Sequence, residues 1–175
     1  MLRIHTFTFG PFQENTYILS NEKKKAIIID PGMYEIAEFD CFFKYIETEK
    51  LQPTLLVNTH THLDHIFGNA AVKHKFKIPL TFHALDRPVF DGAKHAGAMY
   101  GLEFVTSPEP DYYIDENKIL AFEEENFQIL FTPGHSPGSI CLYHKEQQIV
   151  ISGDVLFQMS IGRSDLPGGN HETLL

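Results

Sequence analysis

The segment "NTHTHLDHIFGN", at residues 58–69, constrains this chain more than any other stretch of its sequence. It follows the apolar run "TLLV", which is typical of a buried strand, and it places His60, His62, Asp64 and His65 within six residues. Crowded imidazoles repel one another when charged, and each needs a hydrogen-bond partner when neutral. A bound cation satisfies all of them, so the segment predicts a metal site at the C-terminal end of a strand.

The spacing of these residues favours two neighbouring metal positions. His60 and His62 are two residues apart, so on an extended strand end their side chains point the same way and can reach one ion. Asp64 and His65 come where the chain turns into a helix, and they can face a second ion. The alternative interpretation is that Asp64 caps this helix and the histidines lie on the surface. That interpretation explains a lone aspartate well, but not three imidazoles in so short a string.

Two later strand ends carry further candidate ligands. His135 lies in "TPGHSPGS", where Gly134 and Gly138 permit tight backbone turns, and Asp154 lies in "ISGD". In proteins whose sheets are covered by helices, functional sites collect at the C-terminal edge of the strands. We therefore predict that His135 and Asp154 join the first cluster as metal ligands.

Composition indicates one globular domain over residues 1–175. Apolar residues make up 43% of the chain, and no apolar run approaches the roughly 18 residues of a membrane span. The formal charge of −9 disfavours nucleic acid and anionic membranes as partners. The N-terminus lacks the apolar core of a signal peptide, and Cys41 and Cys141 form no CxxC pair. We predict two reduced, mostly buried thiols in a cytoplasmic protein; a disulfide between them is the alternative.

Periodicity predicts alternating strands and helices. The strands are "RIHTFTF", "NTYILS", "KAIIID", "TLLV", "IPLTFH", "FQILFTPGHS", "SICLYH" and "QQIVISGD". Helices are predicted in "YEIAEFDCFFKYIETEK" and "HIFGNAAVKHKF", with a helical turn or two in "ALDRPVF". In the first helix, one apolar face is formed by Ile36, Phe39, Phe43 and Ile46.

Two stretches fall outside this pattern. Residues 91–117 are rich in Gly, Pro, Asp and Tyr, and we predict a long, partly irregular loop. The last residues, "GGNHETLL", predict the start of a helix with Asn170 as its N-cap. Because this helix is too short to bury anything, we expect the sequence to be a piece of a longer protein.

The three motifs together resemble those of the metallo-β-lactamase-fold hydrolase superfamily. The subsequent "GRSDLPGG" resembles its glyoxalase II-like branch, thioesterases related to hydroxyacylglutathione hydrolase. The resemblance extends over nearly the whole chain, from "ENTYILS" and "IIIDPG" to "DLPGG". It implies an α/β (α+β) fold, a four-layer αββα sandwich. It also implies that the family's last helix and strand are missing here, so that the sandwich is truncated at its C-terminus.

The resemblance assigns a role to each candidate ligand. It implies two Zn²⁺ ions per complete site, and Fe or Mn could take the same ligands. A first metal would be held by His60, His62 and His135, and a second by Asp64 and His65, with Asp154 bridging. Asp30 would lie just outside the ligands and orient them. The family's last histidine ligand lies beyond the end of this sequence, and we expect His171 to be a surface residue, so the second position is one ligand short.

The implied reaction is the hydrolysis of a thioester such as S-lactoylglutathione. A metal-bound hydroxide would attack the carbonyl carbon, with Asp64 and Asp154 as the catalytic carboxylates. Full glyoxalase II enzymes grip glutathione with a C-terminal helical domain, for which this chain has no counterpart. The 91–117 loop, with Tyr100, Tyr112 and Tyr113, would act instead as a substrate lid. Its alternative is an irregular surface loop with the tyrosines packed beneath it.

Several other functions remain open at this point. Asp rather than Cys at position 154 argues against the cysteine-containing β-lactamases, and His rather than Glu at position 62 argues against the di-iron flavoproteins. The acidic charge argues against the RNA-processing relatives. A persulfide dioxygenase with one Fe²⁺ on His60, His135 and Asp154, a lactonase, and a non-catalytic metal-binding protein are the alternatives. The sequence leaves the oligomeric state undetermined.

Overall fold

A computed structural model describes residues 1–103 and 105–175. Within these residues, six strands form the first sheet in the order β1-β2-β3-β4-β5-β6. The first three strands run antiparallel, and β3 through β6 run parallel. The strands are β1 Arg3–Phe9, β2 Glu14–Ser20, β3 Lys25–Ile29, β4 Gln52–Val57, β5 Leu80–His83 and β6 Tyr112–Ile114.

An antiparallel second sheet packs against the first. Its order is β10-β9-β8-β7, with β7 Ile119–Phe122, β8 Glu125–Phe131, β9 Ile140–His144 and β10 Ile149–Ile151. A short hairpin follows, made of β11 Leu156–Phe157 and β12 Ser160–Ile161. The helices are α1 Ile36–Thr48, α2 Leu63–Ile66, α3 Asn69–Phe76, α4 Arg87–Met99 and α5 His171–Leu174, with 3-10 turns at Ala84–Asp86 and Gly153–Val155.

Alternation along β3 separates two apolar layers. Ile27 and Ile29 point toward the second sheet and join a core with Phe127 and Leu142. Ile28 points the opposite way, into a layer with Phe42 and other residues of the helices. The described residues thus build helices on one face of the first sheet and the second sheet on its other face. This arrangement confirms the predicted mixed α/β fold class.

Most predicted strands are present, but the 27-residue loop predicted at 91–117 is wrong at both ends. Residues 91–99 belong to α4, and residues 112–114 form β6; Phe104 lies outside the described residues. The two glycines of α4 suggested a loop, yet Gly97 is buried, as are Phe90 and Ala93 of the same helix. Tertiary packing here outweighs the low helix propensity of glycine.

Two predicted helices also differ in detail. In α1 the buried residues are Phe42 and Ile46, whereas Ile36, placed on the apolar face by the sequence, is 81% exposed because it opens the helix. The predicted helix "HIFGNAAVKHKF" is divided at Gly68, whose N–H donates to the Pro31 carbonyl at 2.7 Å. The close approach of the residue 30–33 loop interrupts the helix there.

The remaining predictions concern thiols, the last helix and membranes. Cys41 is exposed, contrary to the prediction, because it lies on the outer face of α1; Cys141 is buried, and among the described residues both thiols are free. Asn170 caps α5 as predicted, its Oδ1 accepting from Thr173 N at 3.0 Å. None of the helices in the described part of the chain has the length and apolarity needed to cross a bilayer. A cytoplasmic location stays a prediction.

Candidate metal centre

The C-terminal ends of the strands bring the predicted ligands to one edge of the molecule. His60 and His62 lie in the loop after β4, and His65 lies in α2, which this loop enters. His135 lies between β8 and β9, and Asp154 lies in the 3-10 turn after β10. Residues from sequence-distant loops therefore converge where the two sheets end.

The first cluster consists of three imidazole nitrogens. His135 Nε2 is 2.9 Å from His62 Nδ1 and 3.1 Å from His60 Nε2. Nitrogens that share a zinc ion at about 2.0–2.1 Å must themselves lie roughly 3.3 Å apart, so this spacing suits such an ion. His135 Nδ1 donates to the Arg163 carbonyl at 2.7 Å, which leaves the lone pair on Nε2, toward the cluster. The donor set fits a divalent metal.

Burial favours the neutral form of His60 and His62. Burial, together with the neighbouring imidazoles of His65, His62 and His135, lowers the pKa of His60 well below its usual range. Burial and the ring of His135 lower the pKa of His62 to about 3. Neutral imidazoles present lone pairs at physiological pH, as metal ligands must.

The second cluster surrounds His65, which is 2% exposed. Its Nε2 is 3.4 Å from Asp154 Oδ1 and 3.9 Å from Asp64 Oδ2, and its Nδ1 is 3.1 Å from Asp30 Oδ2. Neither ring nitrogen makes a well-directed hydrogen bond within the described residues. Burial lowers the pKa of His65, but the carboxylates of Asp30, Asp64 and Asp154 outweigh it and raise the pKa well above its usual range. Orphaned nitrogens among carboxylates indicate a position that favours a cation.

Asp154 lies between the two clusters. Its Oδ1 faces His65, and its Oδ2 is 3.6 Å from His135 Nε2. Burial raises the pKa of this carboxyl group, but His65, His135 and His62 outweigh it and lower the pKa. An ionised carboxylate that reaches both clusters has the placement expected of a bridging ligand. The metal-binding roles of all six residues stay predictions.

Asp30 braces the loop that carries the histidines. It is fully buried; Oδ1 accepts from the Thr59 backbone N–H at 2.7 Å, and Oδ2 accepts from the Thr59 hydroxyl at 2.5 Å. The same Oδ2 flanks His65 Nδ1. These contacts suit the orienting role that the sequence predicts for Asp30.

Glu14 is a buried acid that the sequence analysis missed. It is 5% exposed, and its Oε1 lies 3.8 Å from His65 Nδ1. The Thr16 hydroxyl accepts from Gly32 N–H and must donate to the Asp30 carbonyl, both at 2.8 Å. The same hydroxyl lies 2.9 Å from Glu14 Oε2, and because its one hydrogen cannot serve two acceptors fully, a protonated Glu14 satisfies both contacts. Burial first, then Asp30 and Asp64, raise the pKa of Glu14 well above its usual range, which agrees with a protonated acid.

Asp86 is a second residue that the sequence analysis missed. Its carboxylate is fully buried between the loop of His60 and His62 and the loop of His135. It accepts from the backbone N–H groups of Thr61 and Gly138 and from the Ser136 hydroxyl. The motif "ALDRP" carries no local sign of this role, because its partners are distant in sequence.

The predicted substrate tyrosines are not neighbours in one loop. Tyr112 and Tyr113 belong to β6, and Tyr113 packs against Phe82 at 5.6 Å and lies 3.5 Å from Arg87. The predicted loop is therefore wrong for this pair, whereas their role in substrate binding stays a prediction. Tyr100 caps the end of α4 and packs edge-on against Phe12 at 5.2 Å. The role of Tyr100 in substrate binding stays a prediction.

Four other histidines lie at the surface or in packed positions away from the two clusters. His171 is exposed and lies 3.4 Å from the Ser164 hydroxyl, as expected for a surface residue. His83 and His144 are buried and pair with Glu116 and Glu125 at 3.1 and 2.8 Å. His5 stacks on Tyr45 at 3.9 Å.

Fold and site together define a metallohydrolase architecture, and comparison with known families agrees. Residues 9–175 match the model of the metallo-beta-lactamase superfamily. The chain belongs to this superfamily.

Two curated relatives illustrate its range. The chain is 40% identical over 168 residues to the probable metallo-hydrolase YqgX of Bacillus subtilis. This match covers 95% of this chain and 77% of the relative. The chain is 35% identical over 176 residues to the hydroxyacylglutathione hydrolase GloC of Haemophilus influenzae. This match covers 99% of this chain and 81% of the relative.

Solved structures share the fold closely. The BLEG-1 B3 metallo-beta-lactamase superposes with a TM-score of 0.89 at 36% identity, covering 98% of this chain and 81% of that one. TTHA1623 in a di-iron-bound form superposes with a TM-score of 0.87 at 35% identity, covering 97% of this chain and 81% of that one.

Proposed function

We propose that this protein is a metal-dependent hydrolase that cleaves a small-molecule thioester such as S-lactoylglutathione. The observation that carries the proposal is the convergence of two donor clusters on Asp154, at 3.4 Å from His65 and 3.6 Å from His135. The similarity to a hydroxyacylglutathione hydrolase over 99% of the chain supports the thioester as substrate. The net charge of −9 disfavours nucleic acid as an alternative partner.

We assign His60, His62 and His135 to a first metal, and Asp64, His65 and Asp154 to a second. When bound, a divalent cation supplies Lewis-acid chemistry, which acidifies a water molecule and draws electron density from a carbonyl oxygen. Imidazole and carboxylate ligands suit zinc, and we propose zinc in both positions. The di-iron form of TTHA1623 makes iron the competing choice.

The carboxylates are assigned the proton chemistry. The side chains of Asp64 and Asp154 are 18% and 29% exposed, whereas the side chain of His65 is 3% exposed. The two more exposed carboxylates, Asp64 and Asp154, can therefore orient an attacking water molecule. Asp64 takes up the proton that this water releases. The water oxygen bonds to the thioester carbonyl carbon, and the carbon–sulfur bond then breaks. A thiol has a pKa of about 8.5, so the thiolate leaves without a strong general acid.

The test is hydrolysis of S-D-lactoylglutathione by protein of measured metal content. We expect turnover with two zinc ions per chain, measured as loss of thioester absorbance and release of free thiol. Fully metal-loaded protein without any thioester hydrolysis would refute the proposal. One iron per chain together with oxygen uptake on a persulfide would instead support the dioxygenase.

A second candidate is β-lactam hydrolysis. It is favoured by the superposition on a B3 metallo-beta-lactamase at 36% identity over 98% of the chain. Hydrolysis of a chromogenic cephalosporin by the same zinc-loaded preparation distinguishes β-lactam hydrolysis from thioester hydrolysis. A kcat/KM for the cephalosporin above that for the thioester would favour the lactamase.

A further inference from the structure

The carboxylate of Asp86 joins the two loops that carry the first histidine cluster. Its Oδ2 accepts from the backbone N–H of Thr61, the residue between His60 and His62, and lies 2.8 Å from the Thr61 hydroxyl. Its Oδ1 accepts from the hydroxyl of Ser136, the residue after His135, and from Gly138 N–H at 2.9 Å. One carboxylate thus holds both loops within one residue of their metal-facing imidazoles.

We propose that Asp86 is the positioning residue that sets the spacing between the two histidine loops and thereby the affinity of the first metal position. The inference rests on the metal site of the proposed function, but not on its substrate. Groups that hold metal ligands in place commonly change metal affinity by roughly 10–100-fold when they are removed. Asp86 acts here through the backbone of both loops and touches no substrate.

The position of Asp86 is itself rigid. It ends the 3-10 turn after β5 and immediately precedes α4, whose Phe90 is buried against Phe82 at 5.0 Å. The His135 loop approaches it directly, since a Cβ at Gly138 would lie 2.6 Å from the Asp86 Cβ. Neither loop can move along this carboxylate without breaking hydrogen bonds in a fully buried place.

The arrangement requires a carboxylate and not an amide. Each oxygen accepts from one backbone N–H, Oδ2 from Thr61 and Oδ1 from Gly138, and a backbone N–H cannot reverse its role. An asparagine has the same shape, but it would turn its NH₂ group against one of these donors. Asp86→Asn therefore loses the hydrogen bond to one of the two loops, while the volume of the side chain stays the same.

The experiment measures zinc affinity by competition with a chromophoric chelator, on folded protein below its unfolding temperature. We expect Asp86→Asn and Asp86→Ala to weaken the first zinc position by at least about tenfold. Ser136→Ala keeps Asp86 and removes one bond, so a loss of about threefold is expected. Asp111→Asn is the matched control, because Asp111 accepts from Leu80 N–H at 2.7 Å and from Lys73, away from the histidines. The zinc affinity of this variant should equal that of the unaltered protein.

A purely structural role would lower the melting temperature of the metal-free protein and leave the zinc affinity of the folded fraction intact. Wild-type affinity in Asp86→Asn, together with an unaltered visible spectrum of the Co²⁺-loaded protein, would overturn the inference. Should the Asp86 variants not fold, Ser136→Ala decides: reduced affinity supports the positioning role, and unchanged affinity refutes it.

Failure of the Asp86 proposal can be distinguished from failure of the proposed thioester hydrolysis. If the unaltered protein binds zinc but cleaves no thioester, only the substrate assignment fails, and the affinity comparison still tests Asp86. If the unaltered protein binds no divalent metal, both the metal site and the role of Asp86 are refuted.

Discussion

At the scale of single residues, Glu14 shows how hydrogen-bond partners fix a protonation state. The Thr16 hydroxyl has one hydrogen and faces two acceptors, the Asp30 carbonyl and Glu14 Oε2, so a proton on the acid lets both contacts be hydrogen bonds. Glutamine offers a donor of the same shape at this position. Glu14 was beyond the reach of sequence analysis, because its neighbours come from three separate segments.

We predict that Glu14→Gln stabilises the chelator-treated protein at pH 8. Because the folded pKa of Glu14 is raised above its ordinary value of about 4.3, its contribution to stability is full below that value and is lost as pH rises through the folded pKa. Glutamine suffers no such loss. Melting temperatures from pH 4 to 8 should show an advantage for the variant that grows with pH. Glu14→Ala is the control and should melt lower at every pH, since it leaves Thr16 unpartnered.

Substitution of single ligands should abolish activity without unfolding the chain. His60→Ala removes one nitrogen of the first cluster, and Asp154→Asn removes the charge shared by both clusters. We expect kcat/KM for the thioester to fall by at least about a thousandfold in each, with an unchanged circular dichroism spectrum. His171→Ala, an exposed residue, should retain full activity. Rates near wild type in either ligand variant would contradict the assigned roles.

At the scale of elements, pattern length helped the sequence prediction but did not decide it. Strands β1, β2 and β8 have seven residues each, enough for alternation to be recognised. The strands β6 and β7, with three and four residues, were missed, whereas the equally short β10 and β5 were predicted as apolar runs. Only the first turn of helix α4 was predicted, because glycine and proline within the helix outweigh its apolar face in a local analysis.

Two glycines at helical positions should respond to alanine in opposite ways. A Cβ at Gly92, within α4, meets nothing within 4 Å, so Gly92→Ala should stabilise the protein by about 0.5–1 kcal/mol. A Cβ at Gly68, between α2 and α3, would lie 2.7 Å from the Pro31 carbonyl oxygen. Gly68→Ala should therefore destabilise the protein by about 1–3 kcal/mol. Urea unfolding measures both; equal effects of the two substitutions would contradict this account of the helix break.

At the scale of the whole molecule, much of the predicted site comes from one short segment of the sequence. The residues that hold this segment in place come from distant parts of the chain. The spacing of His60, His62 and His65 is visible in one segment, and the strand-end rule extends it to His135 and Asp154. Asp86 contacts Gly138 across 52 residues, and such contacts exist only once both sheets have formed. The cluster of candidate ligands was therefore predictable from motifs, whereas the groups that hold the motifs in place required the fold.

Removal of metal should lower the stability of the entire domain. Buried imidazoles and carboxylates gather at the edge where both sheets end, and a ligand held at a hundred times its dissociation constant stabilises the folded state by about 2.7 kcal/mol. In a chain of this length that corresponds to a fall of about 5–10 °C in melting temperature on addition of a chelator. Differential scanning fluorimetry measures the change. A His60→Ala, His135→Ala double variant should show a much smaller shift, and a full shift in that variant would place the stabilising ion elsewhere.

The antiparallel pairing of β1 with β2 fixes the direction in which the amino terminus faces. Phe9 pairs with Glu14 beside the candidate metal centre, and Arg3 pairs with Ser20 at the opposite end of the strands. At about 3.4 Å per residue, roughly 20 Å separates the two ends. Met1, which is 81% exposed, therefore offers a point of attachment remote from the ligand cluster. Tethering the chain to an electrode or bead through its first residue leaves the reactive edge turned toward the surrounding solution, the orientation that a biosensor needs.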